Sequence, residues 1–244
     1  MPSFTQLLHV TRSGMLARLE ALDVSSNNLA NVNTIGYKRG RANFQEVLNA
    51  QVQGGARVRA TQNLMEQGGL QATENPLDLA IEGTGFFMIQ LPDGRTAYTR
   101  DGQLFMDADR QLVTADGFPL VWDGQIPADA EDIFVNPDGT VMALQNGVWN
   151  EVGNIELARF PNPTGLLNYG QNLWLETDAS GAAEVGAPAT EGYGQIFGHA
   201  LETSNVSLAE EMTNLTTLQR GFEMSLRIFQ QTDQMLSQAI HMRK

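Results

Sequence analysis

At 244 residues the chain can hold one sizeable domain or two small ones, and its lack of cysteine excludes a disulfide framework or a cysteine-based metal site. Its net charge of −13 is uneven: residues 1–60 carry seven Lys or Arg against three acidic residues, and residues 61–244 carry eight against twenty-five. An acidic body behind a basic N-terminal arm argues against nucleic-acid binding by the body, and no stretch approaches the length and hydropathy needed for direct membrane insertion.

The first element reads as a helix. Phe4, Leu8, Met15, Leu19, Leu22 and Leu29 share one face of a 3.6-residue period, and Ser3 with Gln6 fits a capping box. The segment lacks a basic start, an uninterrupted apolar core and a small-residue cleavage site, so no cleaved signal peptide is expected. It runs into N-N-L-A-N-V-N-T-I-G-Y-K at 27–38. Asn side chains compete for backbone hydrogen bonds inside a helix, so Asn31, Asn33 and Gly36 predict a helix end with a left-handed turn. Lys38, Arg39 and Arg41 follow as a basic cluster, readable as a solvated turn or as a patch meeting an acidic surface on a neighbouring subunit.

Residues 1–36 are therefore assigned to a helical base, 37–80 to an extended connection and 81–200 to a central β domain with its return connection. Within that domain Phe86–Leu91, Gln103–Met106, Phe118–Trp122, Thr140–Leu144, Val148–Val152 and Ile155–Phe160 are short β-leaning runs. They are punctuated by Asp93-Gly94, Asp101-Gly102, Asp116-Gly117, Asp123-Gly124, Asp138-Gly139 and Asn146-Gly147, which supply the positive φ that tight hairpin turns need. The pattern predicts an antiparallel domain. Asn162–Gly165 and Ser180–Gly194 read as loops, and Gln195–Leu201 as a strand leading into the last helix.

Residues 201–244 complete the helical base. Leu208, Met212, Leu215, Phe222, Leu226, Phe229, Leu236 and Ile240 alternate steps of four and three, with Gln219 and Asp233 in the gaps. Ser207 with Glu210 fits a capping box, and Glu210 and Glu211 suit the positive end of the helix dipole. A helix over 207–241 would be about 50 Å long at about 1.5 Å per residue, which implies a partner along most of it. The fold class is α+β, with long N- and C-terminal helices pairing as a coiled-coil-like base and a central antiparallel β domain inserted between them.

Little chemistry competes with this architecture. His9, His199 and His241 lie on different predicted elements without zinc-site spacing, and Ser204 near His199 has no nucleophile elbow to support a triad. Gly83-Thr84-Gly85 is too short for a phosphate loop and precedes a strand. Asp107 and Asp109 begin like a calcium loop, but Gln111 and Leu112 occupy positions where a ligand and the turn glycine belong. No catalytic, cofactor-binding or metal site is expected. The candidate working surface is instead the seam formed by Leu8, Met15, Leu22 and Leu29 with Met212, Leu215, Phe222, Leu226, Phe229 and Leu236, together with the turn carrying Asn27, Asn28, Asn31, Asn33, Gly36, Tyr37 and Lys38. Leu16, Val24, Val32, Leu218, Met224 and Met235 lie beside those stripes, an apolar surplus that favours further association.

The stretch 27–38 resembles the N-terminal motif of the bacterial flagellar rod and hook family. G-G-L-Q-A-T-E-N-P-L-D-L-A-I-E-G-T-G-F-F at 68–87, A-Y-T-R-D-G at 97–102, L-E-T-S-N-V from 201, Q-R-G-F-E-M at 219–224 and T-D-Q-M-L at 232–236 agree with it in the family's order. The combination is most similar to the distal rod branch, in a short form lacking a longer insertion between about Phe44 and Gly68, and a proximal rod subunit is the alternative within the family. The resemblance implies a non-enzymatic subunit without cofactors. It would form a helical homopolymer through its ends, with the β domain outside, and contact adjacent rod and hook subunits and a surrounding ring bushing in a rod spanning the periplasm. A monomeric secreted β-rich binding module or enzyme is the reading from another class, and a hook subunit a further one within the family.

Overall fold

The computed structural model describes residues 4–49 and 52–241, which divide into two compact units. The helical unit takes the described residues up to Val32, Arg39–Leu64 and Val206 onward. Its elements are α1 (Phe4–Ala30), an antiparallel hairpin of β1 (Gly40–Asn49) and β2 (Val52–Asn63), and α2 (Leu208–His241), with the hairpin packed on α1 and α1 on α2. α2 starts one residue after Ser207, and the Glu211 N–H donates to the Ser207 carbonyl at 3.0 Å. The long hairpin lies inside 37–80, the stretch expected to be an extended connection. No Asn-Gly or Asp-Gly turn marks it, which leaves alternating sequence alone to reveal it.

The β unit comprises Asn33–Lys38 and Met65–Asn205. Its strands in chain order are β3 (Leu70–Ala72), β4 (Leu79–Glu82), β5 (Phe87–Gln90), β6 (Thr96–Thr99), β7 (Phe105–Met106), β8 (Leu112–Val113), β9 (Asp123–Gly124) and β10 (Asp132–Val135). They continue with β11 (Thr140–Gln145), β12 (Val148–Asn154), β13 (Leu157–Arg159), β14 (Leu167–Gly170), β15 (Leu173–Leu175), β16 (Glu184–Gly186), β17 (Gln195–Gly198) and β18 (Ala200–Glu202). Two four-stranded sheets, β14-β15-β6-β5 and β10-β11-β12-β9, are accompanied by the two-stranded pairs β17-β4, β18-β3, β13-β16 and β7-β8. Every registered pair is antiparallel, as the hairpin pattern requires.

Alternation drives the packing. In β10, Ile133 and Val135 point inward while Asp132 and Phe134 stay exposed, and the core gathers Leu79, Ile81, Phe87, Ile89, Val141, Ile155, Leu157 and Ile196. Each such side chain contributes roughly 1.5–3 kcal/mol when fully buried. A second cluster stacks Phe160 edge-on against Phe86 and Tyr98, with centroids 5.9 and 4.7 Å away, beside Trp174.

Some sequence expectations need correction. Gly94, Gly117, Gly139 and Gly147 have positive φ as predicted, and Asn146-Gly147 turns β11 into β12, but Gly102 and Gly124 are not among the positive-φ glycines. The run Phe118–Trp122 forms only isolated bridges at Pro119 and Leu120 instead of a strand. Gln195–Leu201 is split into β17 and β18 at His199, where φ is +55°. The strands at 96–99, 167–175 and 184–186 are too short to impose a visible period.

Candidate assembly surface

Segments far apart in sequence meet in the β unit around one carboxylate. Glu202, at the end of β18, is fully buried and its Oε1 accepts from Lys38 Nζ at 2.5 Å and from the Gly68 N–H at 2.7 Å, while Oε2 faces Arg100 Nη1 at 3.3 Å. The Glu202 carbonyl accepts from the Gly36 N–H at 2.8 Å. Lys38 also donates to the Glu66 carbonyl at 2.8 Å, and Arg100 to the Gly83 carbonyl at 2.6 Å while lying 5.2 Å over the Phe86 ring. Burial lowers the pKa of the Lys38 ammonium and of the Arg100 guanidinium, and Glu202 pulls both back upward.

Two glycines make this convergence possible. Gly36 has φ +66°, and a Cβ there would stand 2.6 Å from the Asp101 nitrogen; at Gly68 a Cβ would stand 1.9 Å from the Thr203 carbonyl oxygen. The Asn172 amide donates to the Ile35 carbonyl at 3.0 Å, and the Asn205 amide to the Glu66 carbonyl at 3.0 Å, which ties the same crossings again.

Beside this cluster, burial pushes the Asp101 carboxyl from 3.8 up to about 6, against the Gln103 N–H that favours its charged form; Asp116 and Asp78 add to the rise. An acid whose folded pKa is raised binds its proton more tightly folded than unfolded, so stability increases as pH falls through about 6 toward 3.8. Asp101→Asn is expected to raise β-unit stability at pH 7 by roughly 1–2 kcal/mol and to flatten its dependence between pH 7 and 5. Urea denaturation at both pH values checks it; an unchanged pH slope would contradict it.

The helical unit holds a second buried carboxylate. Glu211 accepts from the Ser25 hydroxyl, from Asn28 Nδ2 at 3.2 Å and from Arg39 Nε at 2.7 Å. The Asn28 amide also brackets Gly40, donating to its carbonyl at 2.9 Å and accepting from its N–H at 2.8 Å. Arg39 further pairs with Glu210 at 3.0 Å. Lys38 and Arg39 are thus engaged inside the chain, which corrects the reading of these two as a solvated or intersubunit patch; of the three cations Arg41 alone is exposed.

Asn27 and Asn33 are exposed, the Asn31 amide donates to the Asn27 carbonyl at 2.8 Å, and the Tyr37 carbonyl accepts from the Asn205 N–H at 3.4 Å. Along α1 the buried residues are Ala17, Ala21, Ser25 and Asn28, whereas Leu8, Met15, Leu22 and Leu29 are half-buried. On α2, Glu211, Leu215, Leu218, Phe222, Ser225, Phe229 and Thr232 form the covered stripe in steps of four and three. Arg18 donates to the Gly221 carbonyl and to Ser225 Oγ, the latter at 3.0 Å, which fixes this stripe toward α1. The seam expected on α2 is therefore displaced: Leu215, Phe222 and Phe229 belong to the covered stripe, but Met212 and Leu226 are 57% and 40% exposed, as is Leu208 at 50%. The side chain of Leu236 lies outside the described residues. A cleft of about 470 Å³ opens in this unit among Ala21, Val24, Phe44, Leu64 and Leu218.

Sequence reasoning missed Glu202, Arg100 and Ser25 as structural anchors and took Glu211 for a dipole partner. The available signal was a charge within an otherwise apolar strand, Ala200-Leu201-Glu202. Among the described residues no group of three or more His, Asp or Glu could hold a metal ion, and no helix is long and apolar enough to cross a membrane.

Three family models match the chain: the flagella basal body rod protein over residues 8–38, the flagellar hook protein FlgE/F/G D1 domain over 80–143, and the C-terminal region of the flagellar basal body rod FlgEFG protein over 198–242. Full-length relatives agree. The chain is 41% identical to the flagellar basal-body rod protein FlgG of Caulobacter vibrioides, an alignment covering 98% of this chain and 99% of the relative. It is 38% identical to that of Borreliella burgdorferi over 97% and 98% of the two chains, and 34% identical to that of Bacillus subtilis over 95% and 97%.

Proposed function

The chain belongs to the flagellar basal-body rod and hook family, and we propose that it is a distal rod subunit, in a short form, whose terminal helices polymerise into a hollow shaft transmitting torque from motor to hook. It is a structural subunit of the flagellar rod and not an enzyme, it resides in the basal body, and it assembles with neighbouring rod and hook subunits. The observation that carries the finer reading is likeness to rod proteins that spans α1, the β unit and α2, with 98% of this chain and 99% of the Caulobacter relative aligned.

Mechanically, the α1–α2 contact supports coiled-coil-like pairing, since the covered stripe of α2 keeps the four-three alternation of such a seam. Leu208, Met212 and Leu226 on one flank of that stripe, and Met224, Ile228 and Met235 on the other, are left exposed for neighbouring copies. A shaft closed by such contacts resists torsion because twisting must shear many packed side chains at once, and packed interiors are poorly compressible. The candidate seam residues Leu8, Met15, Leu22, Leu29, Leu215, Phe222 and Phe229 are assigned to this packing. The surrounding ring bushing is assigned as the partner of the rod's outer face, in the segment crossing the periplasm. The alignment with the Caulobacter relative spans 261 positions, more than the 244 residues of this chain, so that relative carries residues absent here. This supports the short form and keeps a proximal rod subunit as the second reading.

Electron microscopy and sedimentation of the concentrated full chain test the proposal. Filaments are expected from the full chain and none from a variant ending at Asn205. A full chain that stays monomeric, or assembly that survives loss of α2, would overturn it.

A further inference from the structure

The outer face of the β10-β11-β12 sheet is apolar where a soluble surface normally is not. Cross-strand register arranges it in two rows: Asp132, Leu144 and Trp149 in one, Phe134, Met142 and Glu151 in the other. Each row therefore has a carboxylate at one end, on opposite strands, with four apolar side chains between them. Phe134 and Trp149 are 41% and 44% exposed and meet edge to face at 6.4 Å. Paired aromatics held rigid on a sheet and rimmed by charge are the composition of an interface centre rather than of solvated surface.

Charge accounting selects the partner. By sequence the β unit carries five basic against twenty-one acidic residues, and each of the five is already engaged within it. Lys38 and Arg100 are buried on Glu202, Arg95 pairs with Asp93, Arg159 with Glu184, and Arg110 donates to the Pro127 carbonyl at 2.7 Å. Arg110, held by a neutral carbonyl, is the one cation of the β unit without an ion pair among the described residues, so the β unit has little positive charge to offer the rim of another. The helical unit, with ten basic against seven acidic residues, exposes Arg12, Arg41, Arg220 and Arg227, none of them in an ion pair among the described residues.

We propose that the Phe134–Trp149 face of the β unit is an intersubunit docking surface, and that its occupant is the arginine-bearing helical unit of a second copy of this chain. The inference rests on the rod reading and adds to it which surfaces meet. A β unit facing a helical unit is a heterologous contact, and where its rotation does not close it extends a filament. The apolar centre supplies the desolvated core, and the two carboxylates fix register against arginines.

The test uses the full chain. Phe134→Ser with Trp149→Ser is expected to raise the critical concentration for filament formation at least tenfold with little change in β-unit thermal unfolding, because both side chains point away from the core. Asp132→Lys with Glu151→Lys is expected to raise it as well, and to blunt the weakening of assembly that salt produces between about 50 and about 500 mM. A photo-cross-linker at position 149 is expected to capture peptides from 4–32, 39–64 or 206–241 of another copy. Unchanged assembly of the aromatic variant would overturn the docking surface while leaving the rod reading intact. So would a lowered critical concentration on charge reversal, or cross-links to residues 65–205 or to nothing. Wild-type chain that forms no filament would overturn the rod reading itself.

Discussion

Replacing Glu202 by Gln is expected to destabilise the β unit by about 3–5 kcal/mol, because it leaves two buried cations without their shared counter-charge. Gln keeps the size of the side chain and an oxygen able to accept from the Gly68 N–H, so the loss reports charge and not volume. Lys38→Met should cost less, since Glu202 then retains Arg100 and the Gly68 N–H while the methionine fills the vacated space. The two changes together should cost less than their sum, as partners in one network do. Denaturant unfolding followed through Trp174, which packs in the second aromatic cluster, provides the measurement. A cost below about 1 kcal/mol for Glu202→Gln would mean that water reaches the cluster and that it does not hold the crossings together.

That cluster also brings together motifs scattered over the chain. Gly36 and Lys38 come from the Asn-rich motif, Gly68 from the second, Arg100 from Tyr98-Thr-Arg-Asp-Gly, and Glu202 from Leu201-Glu-Thr-Ser-Asn-Val; Lys38, Gly68 and Arg100 meet at the Glu202 carboxylate, and Gly36 at its backbone carbonyl. Sequence alone reveals the motifs but not their convergence, because long-range ion pairing leaves no periodic trace. Helices are different. The alternation of four and three places α1 and α2 well, since it follows directly from 3.6 residues per turn. The phase of α2 is misjudged for a physical reason: counting apolar residues assigns Leu208 and Met212 inward, whereas the covered stripe includes Glu211, Ser225 and Thr232. Polar groups can sit in a helix seam when they are hydrogen-bonded, as Glu211 is by Ser25, Asn28 and Arg39, and Thr232 by the Ile228 carbonyl at 2.8 Å. The small buried side chains of Ala17 and Ala21 on α1 leave room for the approach by which Ser25 and Asn28 reach Glu211. In the β unit, Asn146-Gly147 announces its hairpin, while strands of two or three residues such as β8 and β16 are held by their neighbours and by nothing in their own composition.

Phe222→Asp is expected to abolish filament formation and to loosen α2 throughout. Phe222 lies on the covered stripe, between Leu218 and Ser225, one residue after the carbonyl that receives Arg18. A carboxylate there must be desolvated against α1 or else force the helices apart, and either route costs several kcal/mol. Arg18 offers no full rescue, since it is already committed to the Gly221 carbonyl and Ser225 Oγ. Leu22→Asp on α1 should act the same way, whereas Phe222→Leu, which keeps an apolar contact, should assemble at a modestly higher concentration. Because the β unit builds its core without α2, its thermal transition should stay within about 2 °C of the parent in all three variants. Hydrogen exchange separates the alternatives. Fast exchange over 208–241 with protected β-unit amides is the result expected of Phe222→Asp, together with no filaments by electron microscopy. Filaments from that variant would mean that the shaft is closed by the exposed flanks at Met212 and Leu226 alone, and that the α1–α2 stripe serves only the fold of the single subunit.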